Sequence, residues 1–137
     1  MKVLVDTPVW SEFYRRAVPH QETHKAFRAL VEAGEATILG PIRQEILSGL
    51  KDQRQFERLR TVLRSFRDGE TVPIDFEYAA SLCNQCRSHG IQGSNTDFLI
   101  CAVSIRLSAP IFTLDRDFEE YARILPIRLY RPTSSEE

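Results

Sequence analysis

The chain has little of what marks a membrane protein or a disulfide-stabilised one. No run in its 137 residues approaches the roughly 18 apolar residues of a membrane span. The N-terminus reaches an acid at Asp6, too early for the apolar stretch of a signal peptide. Three cysteines are an odd count, which argues against a disulfide framework. We therefore expect a cytoplasmic protein with no membrane partner and a core that folds without disulfides.

Two of the cysteines, Cys83 and Cys86, have CxxC spacing, and His89 follows three residues later. A zinc or redox site is one interpretation. The motif occurs once and no βαβ unit places it as a redox motif, so we favour two thiols on one helical turn that partly face a core. His20 and His24 lie four residues apart, but they lack a third ligand and are interpreted as surface residues.

Lysine is scarce among the basic residues. Of the 18 lysines and arginines, three are lysine and 15 are arginine, and the net charge is −1. The total charge therefore does not predict nucleic-acid binding. Arginine suits bidentate phosphate contacts better than lysine does, but an arginine bias also follows genome composition and decides nothing alone.

Hydrophobic periodicity predicts short strands that alternate with helices. Strands are predicted at 2–6, 36–39, 72–74, 110–113 and 127–130. Helices are predicted from about 7, over 21–33, from 40 to 50, over 53–67, from 75 to about 89, over 96–107 and over 117–124. This alternation indicates an α/β fold with a mainly parallel sheet. Residues 1–131 are predicted to form one domain, and 132–137 a disordered tail.

Four acids fall at positions where such a fold places its sites. Asp6 ends the first strand, and Asp115 follows the strand near 111–113. Glu45 lies early in the helix after the second strand, and Asp97 opens an otherwise apolar helix. Sites in parallel sheets form outside the carboxyl ends of the strands. The four carboxylates are therefore predicted to converge.

Each acid has an ordinary explanation as a helix cap, a first-turn acid or a solvated side chain. Together these explanations lose force, because converging carboxylates repel one another unless a cation neutralises them. Hard oxygen ligands suit Mg²⁺ or Mn²⁺. One or two such ions can generate hydroxide and hold a phosphodiester for in-line attack.

Four segments, in order, carry a resemblance to a known family. They are VLVDTPVW at 3–10, PIRQEI at 41–46, NTDFLICA at 95–102 and TLDRDF at 113–118. With them the sequence resembles the PIN-domain family, and more narrowly its VapC-like toxin branch, over nearly its whole length. The resemblance implies a PIN-like three-layer α/β/α sandwich and an endoribonuclease that uses Mg²⁺ or Mn²⁺.

The resemblance also implies roles for particular residues. Asp6, Glu45, Asp97 and Asp115 match the catalytic, metal-binding acids. Asp117 lies close to the fourth position, but Asp115 stands two residues after the strand threonine, as the family pattern requires. Small hydroxyl residues that match flanking positions are candidates to support the acids; these are Thr7, Thr113 and, more weakly, Ser11.

The resemblance further implies a cognate antitoxin that blocks the site, and a homodimer. The helices at 21–33 and 53–67 offer apolar surface for such a dimer. The RNA backbone has candidate contacts in Arg43 and Arg116, or in the arginines of helix 53–67, whose ordinary interpretation is a solvated flank.

Other functions remain as alternatives. An aspartyl-phosphate phosphatase needs a second aspartate two residues after Asp6, where this chain has Pro8. A receiver domain needs a late lysine near the acids, yet every lysine lies at or before Lys51. A PIN-fold module that binds RNA or a partner without cleavage, or a housekeeping RNA-processing nuclease, is the main alternative to a toxin.

Overall fold

The computed structural model describes residues 1–15 and 21–132. The prediction for His20 and most of the tail 132–137 lie outside these residues. The strands are β1 (Val3–Val5), β2 (Ala36–Thr37) and β3 (Ile111–Phe112). The helices are α1 (Thr7–Arg15), α2 (Gln21–Glu32), α3 (Gly40–Ser48), α4 (Gln53–Leu63), α5 (Pro73–Arg87), α6 (Asn95–Leu107) and α7 (Asp117–Ile124).

The three strands form a parallel sheet in the order β2-β1-β3. Leu4 in the central strand pairs with Thr37 on one side and with Ile111 on the other. All seven residues of the three strands are buried, as expected for a parallel sheet covered by helices. The predicted parallel α/β architecture is thereby confirmed, and the carboxyl ends of β1 and β3 open side by side.

Two of the five predicted strands do not form as strands, and the other three are each two residues shorter than predicted. The segment 72–74 is not a strand, because Val72 caps α5 and Pro73 opens it, at a helix position where the missing N–H costs nothing. The segment 127–130 makes a single parallel bridge, between Leu129 and Ile111. The helix predicted over 53–67 ends at Leu63 and continues as turns.

The helices pack in two groups around the sheet. α1 contacts α2 and α3, and α3 contacts α4, while α5 packs on α6 and α7. Trp10 fills the first group: its indole N–H donates to the Val5 carbonyl at 2.9 Å, and its ring meets Phe27 and Phe66 edge-on at 4.9 Å each. Trp10 is thus a core residue.

Helix α6 is the most buried of the helices. Its residues from Phe98 to Ser104 are all buried, which confirms the prediction of a core helix. Such a helix fixes its own N-terminus firmly, and that end carries Asp97. Across the described residues no helix combines the length and the apolar character that crossing a membrane requires.

Candidate active site

Asp6, Asp97 and Asp115 come together at the carboxyl edge of the sheet. Asp6 follows β1 directly, Asp115 follows β3, and Asp97 is the third residue of α6. The charges of Asp97 and Asp115 both act on Asp6, and that of Asp115 acts on Asp97. The three carboxylates therefore share one site, as the order of strands and helices predicts.

Asp6 lies at the centre of this site and is 5% exposed. Its Oδ1 accepts a hydrogen bond from the Thr7 backbone N–H at 2.8 Å, and its Oδ2 accepts one from the Thr113 hydroxyl at 2.7 Å. Burial raises the pKa of Asp6 to about 6. The two hydrogen bonds oppose the rise, and the negative charges of Asp97 and Asp115 add to it.

Asp97 is held by its position in α6 and by two hydroxyl groups. Ser94 caps the helix by accepting a hydrogen bond from the Asp97 backbone N–H at 3.1 Å. The Tyr121 hydroxyl donates to Asp97 Oδ2 at 2.7 Å. Burial raises the pKa of Asp97, hydrogen bonds from Tyr121 and Ser94 oppose the rise, and the charge of Asp115 adds to it.

Asp115, rather than Asp117, faces the other acids. Its backbone N–H donates to the Thr113 hydroxyl at 2.9 Å, and that hydroxyl in turn donates to Asp6. Its Oδ1 accepts from the Asp117 N–H at 2.9 Å and so begins α7. Asp117 is exposed, whereas Asp115 is half-buried and raises the pKa of both Asp6 and Asp97. The geometry thus separates two acids that the sequence left close together.

Glu45 joins the site through Thr7. The Thr7 hydroxyl donates to Glu45 Oε1 at 2.6 Å, while the Thr7 backbone N–H binds Asp6. Glu45 is exposed on α3, at the rim of the buried group. Ser11 lies one turn further along α1 and is half-buried, and its place in the site rests on the sequence alone.

The two arginines predicted to contact RNA differ in their surroundings. Arg43 on α3 forms an ion pair with Asp68. Arg116 is exposed and lines a small cavity together with Thr113 and Asp115. Arg116 is therefore the better placed of the two beside the acids.

Tyr121 and Gly93 are parts of the site that the sequence prediction missed. Tyr121 lies three residues after Phe118 on α7, a spacing typical of a core position, and it is fully buried. A Cβ atom on Gly93 would stand 2.2 Å from the Tyr121 hydroxyl oxygen, so a side chain there would displace the tyrosine. Burial and the neighbouring Asp97 raise the pKa of Tyr121, which keeps its hydroxyl a donor.

The cysteines do not form a comparable site. Cys86 and Cys101 are buried, Cys83 is half-buried, and all three are free thiols. Burial, and then the charge of Asp97, raise the pKa of the Cys101 thiol, which places that thiol near the acids. This agrees with the interpretation of Cys83 and Cys86 as packing residues.

A divalent cation fits the donor chemistry of the acids. In residues 1–15 and 21–132 no three histidine, cysteine or acidic side chains are drawn together so that they alone could hold a metal ion. Mg²⁺ usually binds one or two carboxylates and keeps several waters. The charges acting on Asp6 are both negative, and its accepting oxygens each retain a lone pair. These features suit an ion bound partly through water.

Comparison with known proteins gives consistent results. A family model of the PIN domain matches residues 3–124. Ribonuclease VapC11 of Mycobacterium tuberculosis is 34% identical over an alignment of 126 positions that covers 89% of this chain and 92% of that protein. A VapC ribonuclease of Mycobacterium bovis has the same identity and coverage.

Solved structures resemble the fold. VapBC2 of Rickettsia felis, bound to a DNA fragment from its promoter, has a TM-score of 0.76 at 18% identity and covers 95% of this chain and 98% of its own. A toxin–antitoxin complex from Klebsiella pneumoniae has a TM-score of 0.74 at 18% identity, with coverage of 97% and 99%. The predicted α/β/α sandwich with a parallel sheet is confirmed by these neighbours.

Proposed function

The chain belongs to the PIN-domain family and is VapC-like, and on this basis we propose that it is the toxin endoribonuclease of a toxin–antitoxin pair. It hydrolyses RNA phosphodiester bonds with Mg²⁺ or Mn²⁺ at Asp6, Glu45, Asp97 and Asp115. The observation that carries the proposal is the group of mutually repelling carboxylates at the carboxyl edge of the sheet, formed by the buried Asp6 and the half-buried Asp97 and Asp115. Placing such carboxylates together is energetically unfavourable without a cation, whereas a bound cation neutralises their repulsion and can take part in catalysis.

The residues divide the work according to their surroundings. The buried Asp6 and the half-buried Asp97 are the carboxylates that hold the ion, and Glu45 completes the site from the rim. A divalent ion held by these carboxylates would supply Lewis-acid chemistry, by making hydroxide available near neutral pH and by polarising a phosphoryl oxygen. Asp115 orients the attacking water, since its second oxygen is left over from the helix cap. Arg116 contacts the RNA backbone beside the acids.

Thr7 and Thr113 hold the acidic side chains in position. The Thr113 hydroxyl accepts from the Asp115 backbone N–H and donates to Asp6, so the hydroxyl proton points towards Asp6. Thr7 connects Asp6 to Glu45 across α1 and α3. Supporting residues of this kind typically change metal affinity or activity by about 10- to 100-fold.

Incubation of purified protein with RNA tests the proposal. We expect cleavage with Mg²⁺ or Mn²⁺, no cleavage in EDTA, and loss of cleavage in Asp97→Asn. The exposed Asp52→Asn variant, at the start of α4, is the matched control and should cleave normally. Cleavage that persists in EDTA, or in Asp97→Asn, contradicts the site. RNA binding without cleavage identifies a binding module instead.

The same proposal includes a cognate antitoxin, a homodimer and a cytoplasmic location, where the enzyme would meet its RNA substrate. The apolar residues of α2 and α4 lie mainly in the core, so those helices offer less dimer surface than predicted. The large exposed apolar side chains of the helices lie on α5 instead, at Ile74, Phe76 and Tyr78. Sedimentation of the wild type and of Phe76→Glu tests whether α5 carries the dimer contact: a shift to monomer supports it, and an unchanged mass contradicts it.

A further inference from the structure

We propose that Tyr121 is a positioning residue, whose hydroxyl holds the Asp97 carboxylate in its metal-binding orientation and is itself set in place by Gly93. This inference rests on the proposed function and deepens it. It concerns a contact between α7 and α6, two helices that meet at the acids from different parts of the chain.

The Tyr121 hydroxyl makes a short, part-buried hydrogen bond to Asp97. Tyr121 is fully buried, and its Oη lies 2.7 Å from Asp97 Oδ2. Its ring packs against Phe98 at 5.0 Å and against Phe118 at 5.1 Å between ring centres. Because both aromatic neighbours are themselves buried, the ring has little freedom to swing away from the acid.

Gly93 closes the third side of this arrangement. A Cβ atom there would lie 2.2 Å from the Tyr121 hydroxyl oxygen, 2.7 Å from Cζ and 3.0 Å from Phe98 Cε2. The backbone of the loop before α6 thus lies directly against the end of the tyrosine. Any side chain at position 93 must push either the hydroxyl or the loop, and the loop leads into Ser94 and Asp97.

Orientation matters more for Asp97 than for an ordinary surface acid. Mg²⁺ demands near-octahedral geometry, so a ligand carboxylate must stay in one rotamer while water fills the other positions. The Tyr121 hydroxyl occupies one lone pair of Oδ2, and the carboxylate keeps further acceptor capacity for an ion. A structural role alone would require burial of the ring, whereas positioning also requires the hydroxyl.

The experiment removes the hydroxyl and measures metal binding without RNA. In Tyr121→Phe, isothermal titration of Mn²⁺ is expected to give an affinity about 10- to 100-fold weaker than wild type. With RNA, kcat at fixed Mg²⁺ should fall and the Mg²⁺ needed for half-maximal cleavage should rise, while KM for RNA stays unchanged. The matched control, Tyr14→Phe, removes the hydroxyl of a half-buried tyrosine on α1 and should behave as wild type.

A second variant keeps the hydroxyl but displaces it. Gly93→Ala is expected to weaken Mn²⁺ binding by a similar factor, and Tyr121→Phe should add little to it in the double variant, because both disturb one contact. Gly40→Ala, where a Cβ meets open space, is the control for a glycine replacement.

The outcomes separate the inference from the proposed function. If wild type binds Mn²⁺ and cleaves RNA, and Tyr121→Phe does both equally well, the positioning role is overturned and the nuclease stands. A change in thermal stability with unchanged Mn²⁺ affinity also overturns it, since that is a structural role. If wild type neither binds Mn²⁺ nor cleaves RNA, the proposed function fails, and the inference with it.

Discussion

Replacing Asp6 by asparagine should stabilise the metal-free protein at neutral pH while abolishing cleavage. Burial, with help from Asp97 and Asp115, raises the pKa of Asp6 from 3.8 to about 6. A shift of about 2 pKa units corresponds to roughly 3 kcal/mol of penalty for the ionised form. Asparagine carries no charge, so it avoids this penalty. The figure is an upper one, because the amide must also find acceptors among the surrounding oxygens.

The sign of the effect follows from proton linkage. Below about pH 4, Asp6 is protonated in both the folded and the unfolded chain, and the penalty is absent. Between about pH 4 and pH 6 the folded chain retains a proton that the unfolded chain has released, so stability falls as pH rises. Above about pH 6 the penalty is complete.

Urea unfolding in EDTA measures this effect. The stability gain of Asp6→Asn over wild type should be largest near neutral pH and smaller by about 2 kcal/mol near pH 4.5. Asp117→Asn, an exposed neighbour, is the control and should show no such pH-dependent gap. The reasoning is refuted if Asp6→Asn is less stable than wild type at neutral pH, or if its gap to wild type is the same at both pH values.

Three further predictions follow from individual contacts. Asp115→Asn should reduce kcat for RNA at least about 10-fold with little change in melting temperature, and an unchanged kcat would remove Asp115 from the site. Thr7→Val breaks the 2.6 Å contact to Glu45 and should raise the Mg²⁺ requirement about 10-fold, measured by cleavage against Mg²⁺ concentration. Asp75→Asn removes the carboxylate charge and one of the two oxygens that accept hydrogen bonds from Arg106, at 2.7 and 2.9 Å, and should lower the free energy of unfolding. We expect roughly 2–4 kcal/mol in denaturant titrations, less than for a fully buried pair, because the Arg106 side chain is 31% exposed; a change below experimental error would contradict this.

The parts of the fold that the sequence predicts well are those with a strong local pattern. The apolar run Val3–Val5 is a buried central strand, and the continuous apolar stretch after Asn95 is a buried helix. The weak pattern at 72–74 gave a wrong strand prediction, because three apolar or β-favouring residues are equally compatible with the start of a helix that has proline in its first turn. Strand length at 127–130 depends on pairing with β3, which local sequence does not reveal.

The candidate site also has parts that the sequence predicts and parts that it does not. Acids at strand ends and helix starts are predictable, because the carboxyl edge of a parallel sheet gathers them. The contact of Tyr121 with Asp97 is not predictable, because it joins residues 24 positions apart. Each residue also has an ordinary explanation on its own: Tyr121 has the spacing of a core position, and Asp97 that of a first-turn helix acid. The pairing of Arg43 with Asp68 is equally invisible in sequence, because opposite charges at such separation have many possible partners.

The ordinary and the functional explanations of the acids turn out not to compete. Asp115 Oδ1 accepts the N–H of Asp117, the first residue of α7, and the Asp97 backbone N–H completes the cap of α6. Asp6 accepts the N–H of the first residue of α1. Each of these contacts uses one lone pair or one backbone group and fixes the side chain. The remaining lone pairs of the carboxylate oxygens are left to accept from, or bind to, a group in the space between the acids. A helix cap therefore gives each carboxylate the rigid placement that an octahedral ion requires, so finding a cap at such an acid is no argument against a metal site.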